Sequence, residues 1–157
     1  MPRLVKGGKY VYGWTRVGYS GNITIAPKAL EDYHMNDLDR LIILPGSKTS
    51  EGFGLLSLKS LNGSKMGIFA EVRPELWEDR VSEGEVIEFQ AKPYCWVKLK
   101  NGSIKLLPDT LEKYGIQPLD KLLMVRGSGL ALGFVLHGHI VEEAKKHDEI
   151  EIFEPKE

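Results

Sequence analysis

Few residues in this chain have the types and spacing that chemistry requires, and each has a plainer reading beside it. Gly46-Ser47-Lys48-Thr49 resembles the end of a phosphate-binding loop, but the leading glycine and its spacer are absent. A turn built on the preferences of Gly and Ser is the expectation. Gly127-Ser128-Gly129 is the same turn later in the chain, with no helix start after it to hold an anion. His137 and His139 alternate and would share one strand face; no third ligand is close in sequence, so no metal site is expected. Cys95 has no catalytic partner pattern and reads as a strand residue. Glu142, Glu143, Asp148, Glu149, Glu151 and Glu154 read as a solvated acidic tail. Asn22, Asn62 and Asn101 begin glycosylation sequons, which carry weight only in a secreted chain. Nothing here reads as an enzyme, and no cofactor is expected.

The basic residues are more informative. From Met1 to Leu30 there are Arg3, Lys6, Lys9, Arg16 and Lys28 and no acid; between Phe89 and Pro108 there are Lys92, Lys98, Lys100 and Lys105 and again no acid. Tyr10, Tyr12, Trp14, Tyr19, Tyr94 and Trp96 are interleaved with them. Lysine and arginine neutralise phosphates and release counterions, so two such stretches suit a polyanion. The bland alternative is solvated lysines on strands that merely lack acids. The acids lie elsewhere: residues 142–157 hold seven against three lysines.

These stretches occupy corresponding places in a repeat. Residues 21–54 match residues 102–135 at a constant offset of 81, with 13 of 34 positions identical. Chance would give about two. The identities include Pro27/Pro108, Leu30/Leu111, Tyr33/Tyr114, Leu38-Asp39/Leu119-Asp120 and Gly52-Phe53/Gly133-Phe134. Upstream, Tyr12–Arg16 faces Tyr94–Lys98 at an offset of 82; downstream, Glu85–Phe89 resembles Glu149–Phe153 at 64. The expected organisation is two copies, 1–89 and 90–157, the first with an inserted hairpin near 58–70, the second ending in an acidic helix and strand.

Each copy has one plan. Val11–Val17 and Tyr94–Leu99 are strand-like, and Asn101-Gly102 signals a type I′ turn. A short helix follows with Pro27 or Pro108 near its start, where the missing N–H costs nothing. Leu41–Leu44 and Leu122–Val125 are continuous apolar runs, hence buried strands. Strands through Phe53 and Phe134, short polar helices over Pro74–Arg80 and Val141–His147, and closing strands complete the plan. Neither copy has helix enough to cover a sheet, so a shared, mainly β core is expected.

Composition agrees with a globular protein: 157 residues, 42% hydrophobic, net charge −1. One cysteine excludes an internal disulfide framework and fits a reducing cytoplasm. No apolar run reaches the length of a membrane span, and MPRLVKGGKY lacks the apolar stretch of a signal peptide, so a soluble cytoplasmic protein is expected.

The segments Gly21–Leu44 and Gly102–Val125, with the pattern I-x-(I/L)-x-P-x-x-L-x-x-Y, short helix, L-D-(R/K)-L and buried strand, resemble the AbrB/SpoVT/MazE family of swapped-hairpin DNA-binding domains. The resemblance implies a β-barrel interleaved from two copies, here in one chain as a pseudo-dimeric monomer that could dimerise further. It implies a transcription regulator contacting double-stranded DNA through basic hairpins. The matching positions are Arg16 and Lys98, with Lys9, Lys28, Lys100 and Lys105 in support. Two departures stand out. Leu38 and Leu119 replace the family's usual glycine, and Glu31-Asp32 and Glu112-Lys113 stand where DNA-binding members often place arginines. Glu31-Asp32 and the acidic tail motivate the alternative, a non-enzymatic module that has lost DNA binding and takes a protein partner or ligand.

Overall fold

The computed structural model describes residues 10–47, 49–57, 81–127 and 131–156. Along them run β1 (Val11–Arg16), β2 (Asn22–Thr24), α1 (Pro27–Asp32), β3 (Arg40–Pro45), β4 (Phe53–Ser57), β5 (Ile87–Phe89), β6 (Lys92–Lys98), β7 (Ser103–Lys105), α2 (Pro108–Lys113), β8 (Lys121–Arg126), β9 (Leu132–Val135), α3 (His139–Ala144) and β10 (Ile152–Phe153). The chain is mainly β, as the alternation and apolar runs predict. The expected insertion near 58–70 and the helix over Pro74–Arg80 lie outside the described residues, and the later helix is His139–Ala144 rather than Val141–His147.

The helices are six residues long, too short to persist on propensity. Packing holds them. Pro27 and Pro108 open α1 and α2 at a position that needs no N–H, Ala29 and Leu111 are buried, and Tyr33 and Tyr114 plug the C-terminal ends. His34 (φ 54°) and Gly115 (φ 77°) then turn the chain out through the left-handed region.

The main sheet has the order β10-β1-β8-β9-β4-β3-β6-β5, with β2 and β7 forming a separate two-stranded ribbon. β1 runs antiparallel to β8, placing Trp14 opposite Leu123 and Arg16 opposite Lys121. β6 runs antiparallel to β3, placing Trp96 opposite Ile42 and Lys98 opposite Arg40. At the centre β4 meets β9 with Phe53 opposite Phe134, their rings stacked at 4.5 Å. In the ribbon Ile23 lies opposite Ile104. The expected closed barrel is not formed among the described residues. β2 and β7 pair with each other instead of bridging the ends of the main sheet, which stays open at β10 and β5.

One core cluster joins both parts of the chain: Ile23, Leu41, Phe53 and Val97 pack with Ile104, Leu122, Met124 and Phe134. On an outer face α3 covers Trp14, Leu123 and Val125 through Val141 and Ala144. No helix among the described residues is long and apolar enough to cross a membrane.

Two turns carry an unusual cost. Asp39 N donates to Asn36 O (3.0 Å) and Asp120 N to Gln117 O (3.1 Å), closing four-residue turns whose third residues are Leu38 (φ 68°) and Leu119 (φ 74°). A left-handed non-glycine residue costs about 1–2 kcal/mol. Both leucines are largely exposed, at 61% and 43%, so burial does not offset that strain.

Two expectations follow from this architecture. Fragments 1–89 and 90–157, expressed separately, should each lack cooperative unfolding, and mixing them should restore a sigmoidal urea transition. A folded, monomeric 90–157 fragment would show that β8 does not need β1. The Leu38→Gly/Leu119→Gly variant should unfold at higher urea than the parent. The gain is roughly 1 kcal/mol in total, because glycine's greater unfolded-state entropy returns part of the relieved strain.

Candidate nucleic-acid interface

Three of the lysines singled out in the sequence converge on one groove. Lys98 ends β6, Lys105 ends β7, and Lys100 opens the turn between them. Asn101 (φ 52°) and Gly102 (φ 77°) make that turn the expected type I′, closed by Lys100 N to Ser103 O at 2.9 Å and Ser103 N to Lys100 O at 3.0 Å. The reversal brings all three lysines to an open groove of about 460 Å³ whose lining includes Asn22, Glu83, Lys98, Lys100, Lys105 and Lys156. Lys156 is the residue that sequence reasoning missed, because it sits in a segment dominated by acids. Among the described residues Glu83 is the one carboxylate lining the groove, and its Oε2 accepts the Lys98 backbone N–H at 2.8 Å.

The remaining candidates lie elsewhere. Arg16 Nε donates to Glu154 Oε1 at 3.1 Å and its Nη1 to the Leu119 carbonyl at 3.4 Å. Lys28 pairs with Asp32 at 3.0 Å across one helical turn. Asp32 also accepts the Tyr12 hydroxyl and the Arg126 guanidinium, each at 2.9 Å. This hub ties α1 to β1 and β8. The Lys28 hydrogen bond, helped by Tyr12, holds the Asp32 carboxyl below its usual range, while burial and then Asp32 push the Tyr12 hydroxyl up. Lys9 lies outside the described residues.

Four of the aromatics interleaved with these cations, Tyr12, Trp14, Tyr94 and Trp96, pack on the core rather than forming a stacking surface. Trp14 and Trp96 are buried, with Lys121 Nζ 4.7 Å from the Trp14 ring centre and the Arg40 guanidinium 3.9 Å from that of Trp96. Tyr94 is buried too, whereas Tyr19 is 71% exposed.

The other chemical candidates resolve into structural roles. Ser47 Oγ accepts the Ser50 N–H at 3.0 Å in the turn between β3 and β4, as the Gly-Ser reading predicts; Lys48 lies outside the described residues. His137 and His139 do not share a strand face, because β9 ends at Val135 and His139 begins α3. His137 Nε2 instead meets Glu51 Oε1 at 3.1 Å. No group of three or more His, Cys, Asp or Glu residues suited to a metal occurs among the described residues. In the tail, Glu142 and Glu143 pair with Lys145 and Lys146, and Glu149 meets His147.

Cys95 is fully buried beneath Tyr114, whose hydroxyl donates to Sγ at 3.7 Å. Burial pushes its thiol up to about 11, which leaves little thiolate near neutrality. Compared with family models, with curated proteins and with solved structures, the chain matches none.

The buried thiol gives the fold an alkaline limit. Above an ordinary value of 9.0 the unfolded thiol loses its proton, whereas the folded one keeps it until about 11. The unfolded state then binds fewer protons, so stability falls as pH rises, by about 1.4 kcal/mol per pH unit inside that window. Urea titrations at pH 8, 8.5, 9 and 9.5, below the range where the raised hydroxyls of Tyr12, Tyr33, Tyr94 and Tyr114 add their own loss, should show this slope setting in, and Cys95→Ala should lose that part of it despite a lower starting stability.

Proposed function

We propose that this chain is a double-stranded-DNA-binding protein of the AbrB-like swapped-hairpin kind, two copies being fused in one chain, and that it acts as a transcriptional regulator rather than an enzyme. The observation that carries the reading is the convergence of Lys98, Lys100, Lys105 and Lys156 on one open groove, where Glu83, the lining carboxylate among the described residues, is engaged by a backbone N–H. Four ammonium groups around a shallow surface suit a phosphate backbone, which follows a groove without needing an enclosed cavity. The crossed pairing of β1 with β8 and β6 with β3, together with the Ile23–Ile104 ribbon, supports the fusion of two interleaved copies.

Lysines of this kind set position on the duplex without reading bases. Any base-edge fork on the inner hairpins falls to Arg16, because a guanidinium can make two parallel bonds to guanine and an ammonium cannot. In this reading the lysine groove supplies affinity, and sequence preference comes from duplex shape unless Arg16 turns from the backbone to a base edge.

The test is a salt titration of binding to a mixed-sequence duplex of genomic DNA. Wild type should bind tightly at low salt and weaken steeply as salt rises. The Lys98→Ala/Lys100→Ala/Lys105→Ala variant should bind at least about tenfold more weakly, with a log–log slope shallower by about 0.9 for each phosphate no longer neutralised. Equal affinity and slope in the two proteins would move the anion site off this groove. No binding by wild type at low salt would leave the non-enzymatic protein- or ligand-binding module as the better reading.

A further inference from the structure

We infer that the segment Glu154–Lys156 is a strap that engages Arg16 in the free protein, with the Glu154 carboxylate standing in for a nucleic-acid phosphate there. The inference rests on the DNA-binding reading above and adds a means of regulating it. After β10 the chain runs along β2. The Glu154 carbonyl accepts the Thr24 hydroxyl at 3.0 Å, and the Lys156 carbonyl accepts the Asn22 amide at 2.9 Å. Lys156 Nζ then reaches the turn between β6 and β7, donating to Asn101 O at 2.6 Å. Along this path Glu154 Oε1 meets Arg16 Nε at 3.1 Å.

Arg16 and Lys98 hold like places in the pairing: one ends β1 beside Lys121, the other ends β6 beside Arg40. Yet Lys98 lines the open groove while Arg16 lies against the strap. The strap thus engages the Arg16 side chain itself, whereas the carboxylate beside Lys98, Glu83, accepts its backbone N–H. Its latch is weak. The Arg16 and Glu154 side chains are 34% and 62% exposed, and an ion pair so open to water contributes little. A phosphate offers the same charge sign and the same acceptor chemistry as the carboxylate it would displace. The strap also carries Lys156, which lines the groove, so a DNA strand entering there lies next to the latch.

The experiment compares wild type, Glu154→Gln, Glu151→Gln and Arg16→Ala/Glu154→Gln in the same duplex titration, with thermal melts to confirm that each is folded. Glu151 is an exposed tail glutamate, so its variant makes the same charge change away from the Arg16 latch. Glu154→Gln should bind about two- to fivefold tighter than wild type, the worth of an exposed ion pair. Its salt slope should steepen by about one, for the additional phosphate that Arg16 neutralises. Glu151→Gln should gain less, and the Arg16→Ala/Glu154→Gln protein should lose the gain. Binding by Glu154→Gln where wild type fails would support the strap more strongly still. Wild-type binding with no gain in Glu154→Gln, or an equal gain in Glu151→Gln, overturns the strap and leaves the DNA reading standing. Failure of both wild type and Glu154→Gln to bind at low salt overturns both.

Discussion

Strand β1 pairs with β8 on one side and β10 on the other, and β6 pairs with β3 and β5. β1 thus finds both partners far along the chain, and β6 finds β3 far back in it while β5 joins it in a local hairpin across Gln90-Ala91. That crossed pairing is the constraint from which the remaining structure follows. It forces Leu41 and Val97, and Leu122 and Thr15, into the same buried layer, and it leaves the short β2 and β7 free to pair around Ile23 and Ile104. The stack of Phe53 on Phe134 then closes the centre of the sheet. A core assembled from segments so distant in sequence must meet the entropy of closing long loops before burial rewards it.

The same constraint decides where charge is displayed. Arg16 and Lys98 sit at strand ends because the buried layer takes the inner positions of β1 and β6. Acids near these ends are engaged in local bonds. Asp39 and Asp120 accept the N–H groups of Asn36 and Gln117, each at 2.8 Å, and Glu83 accepts the Lys98 N–H. Asp32 anchors three elements through Lys28, Tyr12 and Arg126. A carboxylate in a basic region is therefore no simple sign of lost anion binding, because its charge can be spent on holding the backbone that presents the cations.

Much of the local structure was legible in the residues. Pro27 and Pro108 marked helix starts, Asn101-Gly102 marked the tight turn, and the runs Leu41–Leu44 and Leu122–Val125 marked central strands, because each signal depends on backbone sterics or burial within a few residues. The scarcity of helix pointed to one shared, mainly β core, and that core is formed. That scarcity did not give closure of the sheet: whether end strands meet depends on twist and on what β2 and β7 pair with, and neither leaves a pattern in a single strand. Nor did alternation place His137 and His139, since β9 stops two residues before the first of them.

For the candidate interface, residue types and spacing determined that two acid-free basic stretches exist; the expectation that both form hairpins fails for the first, because β1 pairs with β8 and β10 while β2 pairs with β7. Only tertiary structure decided which cations lie together. Lys98, Lys100 and Lys105 share a groove because the turn at Asn101-Gly102 reverses the chain between β6 and β7. Lys156 joins them from the far end of the chain because the tail follows β2. Lys28 and Arg16 leave that set because Asp32 and Glu154 reach them. Composition fixes how many charges a chain carries, whereas the distances that set their interaction energies come into being only when distant segments pack.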